Sequence, residues 1–311
     1  MISFRKAAVL GATGPTGIHL TSRLRGRVPA IRVASRSSRN LEKSFPETEL
    51  ERVAVDVLEE GGAGRAIEGC DLVFDCIGLP SALMDRHPRV AENVAAAVSQ
   101  TGARCVQISS YWAYLPVVRL PLDESHPREG GPPWVRYRRA AEDALQRAGA
   151  AIVNLPDFYG PDVHTSVLQN ALRDAVRGNA MSWIGAADVP REHTFVPDAM
   201  KAVVDLAHRE EAYGERFVFP GAGPLTGRRL AEIASEHLDR AVKLRAAAPW
   251  LLRIVGLFNA ELRSFLPMVP HYVKPMSFDA GKLRKLLGTL QTTDYERGVR
   301  VTLDWLRSEA S

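Results

Sequence analysis

Three glycines at three-residue spacing, Gly11, Gly14 and Gly17, follow a compact apolar run and open a helix-patterned stretch. The chemistry this suits is the holding of phosphate. Backbone N–H groups and the positive end of a helix dipole attract an anion, and glycine removes the Cβ that would keep it away. Thr13, Pro15 and Thr16 complete the turn and join the expected contact set. The second predicted strand ends in Val33-Ala34-Ser35-Arg36, with no acid there to bond a ribose 2′-hydroxyl. Arg36 instead offers a planar donor fork to a 2′-phosphate, with Ser35 and Arg39 as helpers. NADPH is therefore the expected cofactor, and NADH the less favoured one. Asp56-Val57, after the third strand, is placed to meet an adenine edge or to cap a helix. Cys76-Ile77-Gly78, after the fourth, would line the adenosine ribose and diphosphate.

These residues need a scaffold that brings strand ends together. Apolar and β-branched runs predict strands at 6–10, 31–34, 52–55, 72–77, 103–108 and 151–155. Helix-period patterns alternate with them at 17–25, 89–100 and 134–147. The alternation predicts an α/β fold, a Rossmann-type doubly wound parallel sheet covered on both faces. Beyond Gly160 the pattern loosens into helices at 166–177, 198–209, 228–238, 249–265, 279–286 and 294–307. The expected division is a nucleotide-binding domain at 1–160, with strands returning from about 190–220. A smaller, mostly helical substrate lobe at 161–311 would interleave with it.

Composition narrows the function classes. A net charge of +4 on 311 residues, with basic residues scattered, gives no nucleic-acid footprint. The apolar stretch from Trp250 to Leu257 is broken by Arg253 and too short to span a bilayer. The expected partner is a small-molecule substrate, with neither nucleic acid nor membrane, and a homodimer is allowed. Three cysteines, Cys70, Cys76 and Cys105, lack CxxC spacing and read as small buried residues rather than a disulfide or metal site. The start runs straight into a strand with no signal-peptide pattern, so the expected location is cytoplasmic.

The chain resembles the extended short-chain dehydrogenase/reductase family, the group of NAD-dependent nucleotide-sugar epimerases, dehydratases and ketoreductases. Gly11-Ala12-Thr13-Gly14-Pro15-Thr16-Gly17 is similar to its glycine motif, and Val106-Gln107-Ile108-Ser109-Ser110 to its serine-bearing strand. Asn154-Leu155-Pro156-Asp157-Phe158-Tyr159-Gly160-Pro161 and His193-Thr194-Phe195-Val196-Pro197-Asp198 resemble two later segments, and the closing Lys282-Leu283…Leu287-Gly288 a third. The resemblance puts Pro156 and Phe158 beside the cofactor and Ser110 at the catalytic serine position.

It also implies a tyrosine acid/base followed four residues later by a lysine. Aligned through Pro133 and Glu142, those positions hold Trp134 and Arg138. An indole N–H has no useful acidity. Arginine keeps a charge for the nicotinamide ribose but does not titrate. Tyr137 stands three residues from Trp134, on a neighbouring helix direction, with alanine four residues beyond. Ser110 could bond a substrate carbonyl or merely satisfy strand-end backbone. His126, His164, His193, Asp157, Tyr111, Tyr114 and Tyr159 each read more simply as structural, and no metal cluster stands out.

Members without the tyrosine resemble ketoreductases of antibiotic pathways that act on polycyclic aromatic ketones. The first expectation is accordingly NADPH-dependent reduction of a carbonyl on a small aromatic or polycyclic substrate. The alternatives are a redox-inactive NADP(H)-binding sensor or scaffold and a nucleotide-sugar epimerase or dehydratase. The apolar segment Pro249–Pro275 is expected partly to cover the substrate crevice and partly to pack on the lobe.

Overall fold

The computed structural model describes residues 1–310. Seven parallel strands form the main sheet: β1 (Lys6–Leu10), β2 (Ala30–Ser35), β3 (Glu51–Ala54), β4 (Leu72–Asp75), β5 (Arg104–Ser110), β6 (Ala151–Leu155) and, after a long excursion, a strand at Arg216–Val218. Four short strands lie in that excursion: β7 (Phe158–Tyr159), β8 (Met181–Ile184), β9 (Arg191–Glu192) and β10 (Thr194–Phe195). The seventh sheet strand is therefore β11, and β12 (Pro224–Leu225) and β13 (Leu244–Ala247) follow it. The sheet order is β11-β6-β5-β4-β1-β2-β3.

Alternation within β1 shows why both faces are covered. Ala7 and Val9 join one core with helix α1 (Pro15–Leu24). Ala8 and Leu10 join the other. Successive side chains of a strand point to opposite faces, so a strand apolar throughout needs a layer on each side. After α2 (Ser38–Ser44), the second layer is α3 (Gly62–Ile67), α4 (His87–Thr101) and α5 (Pro133–Arg147). The first layer is completed, beyond α6 (Val167–Val176), by α7 (Val196–Ala207), which packs on α1.

The remaining helices are α8 (Gly227–Leu238), α9 (Pro249–Gly256), α10 (Ala260–Phe265), α11 (Val269–Tyr272), α12 (Gly281–Leu287) and α13 (Tyr295–Ala310). α6, α8 and α13 share a separate core with Trp183 of β8, and β13 pairs parallel with β8. α7 and β11 lie beyond residue 160 yet belong to the main sheet and its layers. The predicted single helix over 249–265 is two, because Asn259 turns extended at φ −125° and ψ 109° and caps α10 by accepting from the Leu262 amide.

Candidate functional site

The order of the sheet reverses between β1 and β4, where an open α/β sheet leaves a crevice beyond its strand ends. The glycine turn lies there. Gly11 is left-handed at φ +70°, and a Cβ on it would stand 2.8 Å from the carbonyl oxygen of Cys76. Gly17 lets α1 close onto the turn, since its Cβ would stand 2.6 Å from the Ala12 backbone. Gly14 is different: its φ is −82° and a Cβ would meet only Gly11 oxygen, at 3.4 Å. Gly14 is the N-cap of α1, Pro15 opens the helix, and neither a capping side chain nor an acid occupies the first turn. The Ile18 amide is the first to bond back, to Gly14 oxygen at 2.9 Å. The amides of Thr16 and Gly17 precede it and have no intrahelical acceptor, which makes a cradle for phosphate.

The neighbouring strand ends converge on this turn. Ala12 N–H bonds Ala34 oxygen at 3.1 Å, and Thr13 Oγ1 meets Ser35 Oγ at 3.2 Å. Arg36 follows Ser35 and is exposed, as is Arg39 in α2. Asp56 does not cap a regular helix: its carboxylate accepts from the Leu58 amide at 2.9 Å in a tight turn, and the N-cap of α3 is Gly61. Val57 is buried, with its carbonyl held by Asn93. Cys76 is buried beside Gly11, while Ile77 is half-buried and Gly78 exposed. A dinucleotide fits this set through the cradle and the open side left by Gly14.

At the other end of the crevice, α5 lays three side chains in line over β5 at four-residue spacing. Trp134 stacks on Trp112, with centroids 6.2 Å apart and planes at 19°. Arg138, one turn on, donates to Ser109 Oγ at 3.5 Å, and its buried Nε has no partner among the described residues. Glu142, fully buried, accepts from Ser109 Oγ at 2.5 Å, Asn154 Nδ2 at 2.7 Å and Arg128 Nη2 at 2.8 Å. Burial pulls Arg138 below the ordinary arginine value, against the attraction of Glu142 and Asp75. Burial likewise raises Glu142, against Arg128.

Asp75 ends β4 and faces the same cluster. Burial pushes its carboxyl up to about 6, against hydrogen bonds from the Ile77 amide and Gln107 and the pull of Arg138. His87, at the start of α4, is pushed down to about 3 by burial and by Arg138. Asp75 is the one charged residue in the apolar 72–77 run, and that is the signal the sequence offers for it.

Ser110 is half-buried at the end of β5. Its Oγ accepts from the Trp112 amide at 3.3 Å, leaving its own proton free to donate. Tyr137 is half-buried on the adjacent helix direction. Pro156 is buried and Phe158 half-buried just after β6.

A second polar group, not anticipated as a unit, sits beside this cluster. Asp157 accepts from Tyr272 OH at 2.9 Å and Tyr111 OH at 3.2 Å, and Arg191 donates to Tyr111 OH at 2.9 Å. Arg191 also holds the carbonyls of His271 and Lys274, at 2.9 and 2.8 Å. This fastens the 269–276 segment over β5, where Tyr272 and Phe265 pack on Trp112. Of the apolar segment, Phe265 and Tyr272 lie against Trp112, while Trp250–Phe258 leaves six large apolar side chains exposed rather than packed on the lobe.

The histidines have other work. His126 accepts from the Val118 amide, His164 packs on Trp305, and His193 is buried against Trp183, pushed down to about 3 by burial and by Arg191. Among the described residues no group of three or more His, Cys, Asp or Glu could hold a metal, and the three cysteines are free and buried.

Residues 7–218 match the family described as the NAD dependent epimerase/dehydratase family. The chain belongs to that family. The matched span enters β1 and stops at Val218, the end of β11, so the family is carried by the sheet and its layers. Family folds recur in solved structures along nearly the whole chain. An epimerase from Methanothermobacter thermautotrophicus is 18% identical, with a TM-score of 0.83, over 99% of this chain and 94% of that one. A UDP-glucuronic acid 4-epimerase from Bacillus cereus, in complex with NAD, is 13% identical, with a TM-score of 0.81, over 98% and 100%. A dTDP-glucose 4,6-dehydratase from Streptomyces venezuelae, with NAD bound, is 18% identical, with a TM-score of 0.79, over 97% of both. Comparison with curated protein sequences found no match. No helix among the described residues is long and apolar enough to cross a membrane.

Proposed function

We propose that this family member is an NADPH-dependent reductase of a carbonyl on a small aromatic or polycyclic substrate. The observation that carries the reading is Trp134, stacked on Trp112 where the family resemblance expects a tyrosine acid. Two parallel indoles with Phe265 and Tyr272 around them suit a flat ring better than a sugar. Arg36 and the absence of an acid after β2 support NADPH over NADH. When bound, the reduced nicotinamide supplies the two electrons of the reduction.

The chain's own part is positioning and charge. Ser110 Oγ donates to the carbonyl oxygen and steadies it as negative charge develops. Arg138 would hold the nicotinamide ribose with its positive charge. The indole pair fixes the ring plane, and such orientation supplies much of a rate enhancement. With no acid on Trp134, the proton comes from water or from a hydroxyl beside the ketone on the substrate itself.

A second reading is an epimerase or dehydratase of nucleotide sugars, supported by the family and by the activities named for the neighbouring structures. A redox-inactive NADP(H)-binding role is the third. The test follows NADPH and NADH consumption with aromatic ketones, and conversion of UDP- and dTDP-sugars, in parallel. Arg36→Ala is expected to weaken NADPH binding by about 1.5–3 kcal/mol, the loss of a charge-assisted bond, and to leave NADH binding unchanged. Ser110→Ala should slow ketone reduction about 10–100-fold and Trp134→Phe should change it little. Sugar turnover without ketone reduction would overturn the reductase reading.

A further inference from the structure

Six large apolar side chains stand exposed within nine residues: Trp250, Leu251, Ile254, Val255, Leu257 and Phe258, the last at 88%. The other exposed large hydrophobics among the described residues, Met1, Val118, Leu120 and Val301, are scattered. Trp250, Ile254, Leu257 and Phe258 follow helical spacing along one line of α9 and its last turn, with Leu251 and Val255 on the stripe beside it. The helix is not loose. Gly256 is buried against Leu266, and the Arg263 guanidinium bonds the carbonyls of Gly256 at 2.9 Å and Leu257 at 2.7 Å. Its inner side is thus fastened to α10 while the outer side is left to solvent. A contiguous exposed apolar face of this kind marks an interaction surface.

Charge selects the occupant. Arg253 is exposed among the six apolar residues, and the stretch 243–263 carries Lys243, Arg245, Arg253 and Arg263 against the single acid Glu261. Pairing of this face with a second copy would bring two Arg253 side chains into one desolvated contact, because a two-fold interface sets a patch against itself. An anionic lipid surface satisfies both features. The aliphatic and phenyl groups enter the acyl boundary, Trp250 takes the interfacial level, and Arg253 reaches the headgroups along its own stem.

We infer that α9 is an interfacial anchor that docks this protein onto anionic lipid surfaces. It lies flat in the interface and does not span, and it departs from the expectation of no membrane partner. The inference does not depend on the reaction proposed above.

The test is co-sedimentation of the full chain with vesicles of pure phosphatidylcholine and of an equal mixture with phosphatidylglycerol. The protein should pellet with the mixed vesicles, release on addition of salt, and bind pure phosphatidylcholine more weakly. Phe258→Asp should weaken binding about ten- to hundredfold, the scale of keeping one large aromatic out of the acyl boundary. Its thermal melting should be unchanged because the side chain is solvated. Arg253→Glu should weaken binding to the mixed vesicles alone. Failure of the wild type to pellet, or undiminished pelleting of Phe258→Asp, would overturn the inference. So would a dimer in solution that Phe258→Asp converts to a monomer, since that would assign the face to a second copy.

Discussion

The two ends of the crevice are built by different means. At the phosphate end, backbone geometry does the work: Gly11 and Gly17 fit because a Cβ would collide with main chain, and Gly14 leaves amides open. At the Trp134 end, side chains from β4, β5, α5 and β6 meet in a buried charged cluster centred on Glu142. Backbone cradles are set by a few local residues and tolerate little. Side-chain clusters draw on residues far apart in the chain and can be rebuilt with others.

The comparison breaks first at Glu142. Glu142→Ala removes the buried acceptor of Ser109, Asn154 and Arg128, leaves Arg128 with Asp143 alone, and should destabilise the fold by about 3–5 kcal/mol. Chemical denaturation measures it. A loss below about 1 kcal/mol would mean that water already compensates the cluster and that it is no tighter than a surface network.

A milder probe is pH. Asp75, raised to about 6, is protonated in the fold at pH values where the unfolded chain ionises it. Its contribution is complete below about pH 4 and is lost as pH rises through about 6, up to about 3 kcal/mol. His87 and His193, both pushed down to about 3, act in the opposite sense, since their stabilisation disappears as pH falls below about 6.5. The wild-type curve therefore sums opposing slopes. Stability of Asp75→Asn across pH 4–7 isolates the carboxyl, and the variant should gain relative to wild type as pH rises. Parallel curves would show that Asp75 is ionised throughout.

The smallest effect on stability is expected at Gly14. Gly14→Ala should cost at most about 1 kcal/mol, because alanine is a poorer N-cap than glycine, while cofactor affinity drops because the methyl stands on the open side of the cradle. Gly17→Ala should cost about 1–3 kcal/mol, since its Cβ has main chain in the way. Calorimetry and thermal melting on both variants separate binding space from packing space. Equal stability losses would erase the distinction.

Legibility followed the same division. Six strands of the sheet were readable from apolar or β-branched runs, β1 and β4 most plainly, and the glycine turn because its constraint spans seven positions; β11, three residues beginning with Arg216, fell only within the return of strands expected at about 190–220. α2 and α3 were not anticipated. Leu41 is the one buried residue of α2, and α3 is six residues of glycine, alanine, arginine and isoleucine, so neither carries a full helical period. The group of Asp157, Tyr111, Tyr272 and Arg191 was out of reach for another reason. Tyr272 meets Asp157 across 115 positions and Arg191 meets Tyr111 across 80, and no local pattern encodes such pairings. Asp56 was open between two roles, and only the tight turn to Leu58 decided its backbone part.

The place of β11 in the sheet has a consequence for biosynthesis. Ile152, Val153 and Asn154 of β6 pair with Arg216, Phe217 and Val218, and α7 must pack on α1 before that face is closed. A nascent chain released at residue 160 would hold an open parallel edge and a bare helix layer, the two features that invite association with other chains. The sheet is completed only once Val218 has emerged, so the excursion from β7 to α7 must be kept out of the way while the last strand is awaited. A fragment cut at residue 160 should aggregate, and one cut after the strand should be the shortest piece in which the sheet is whole.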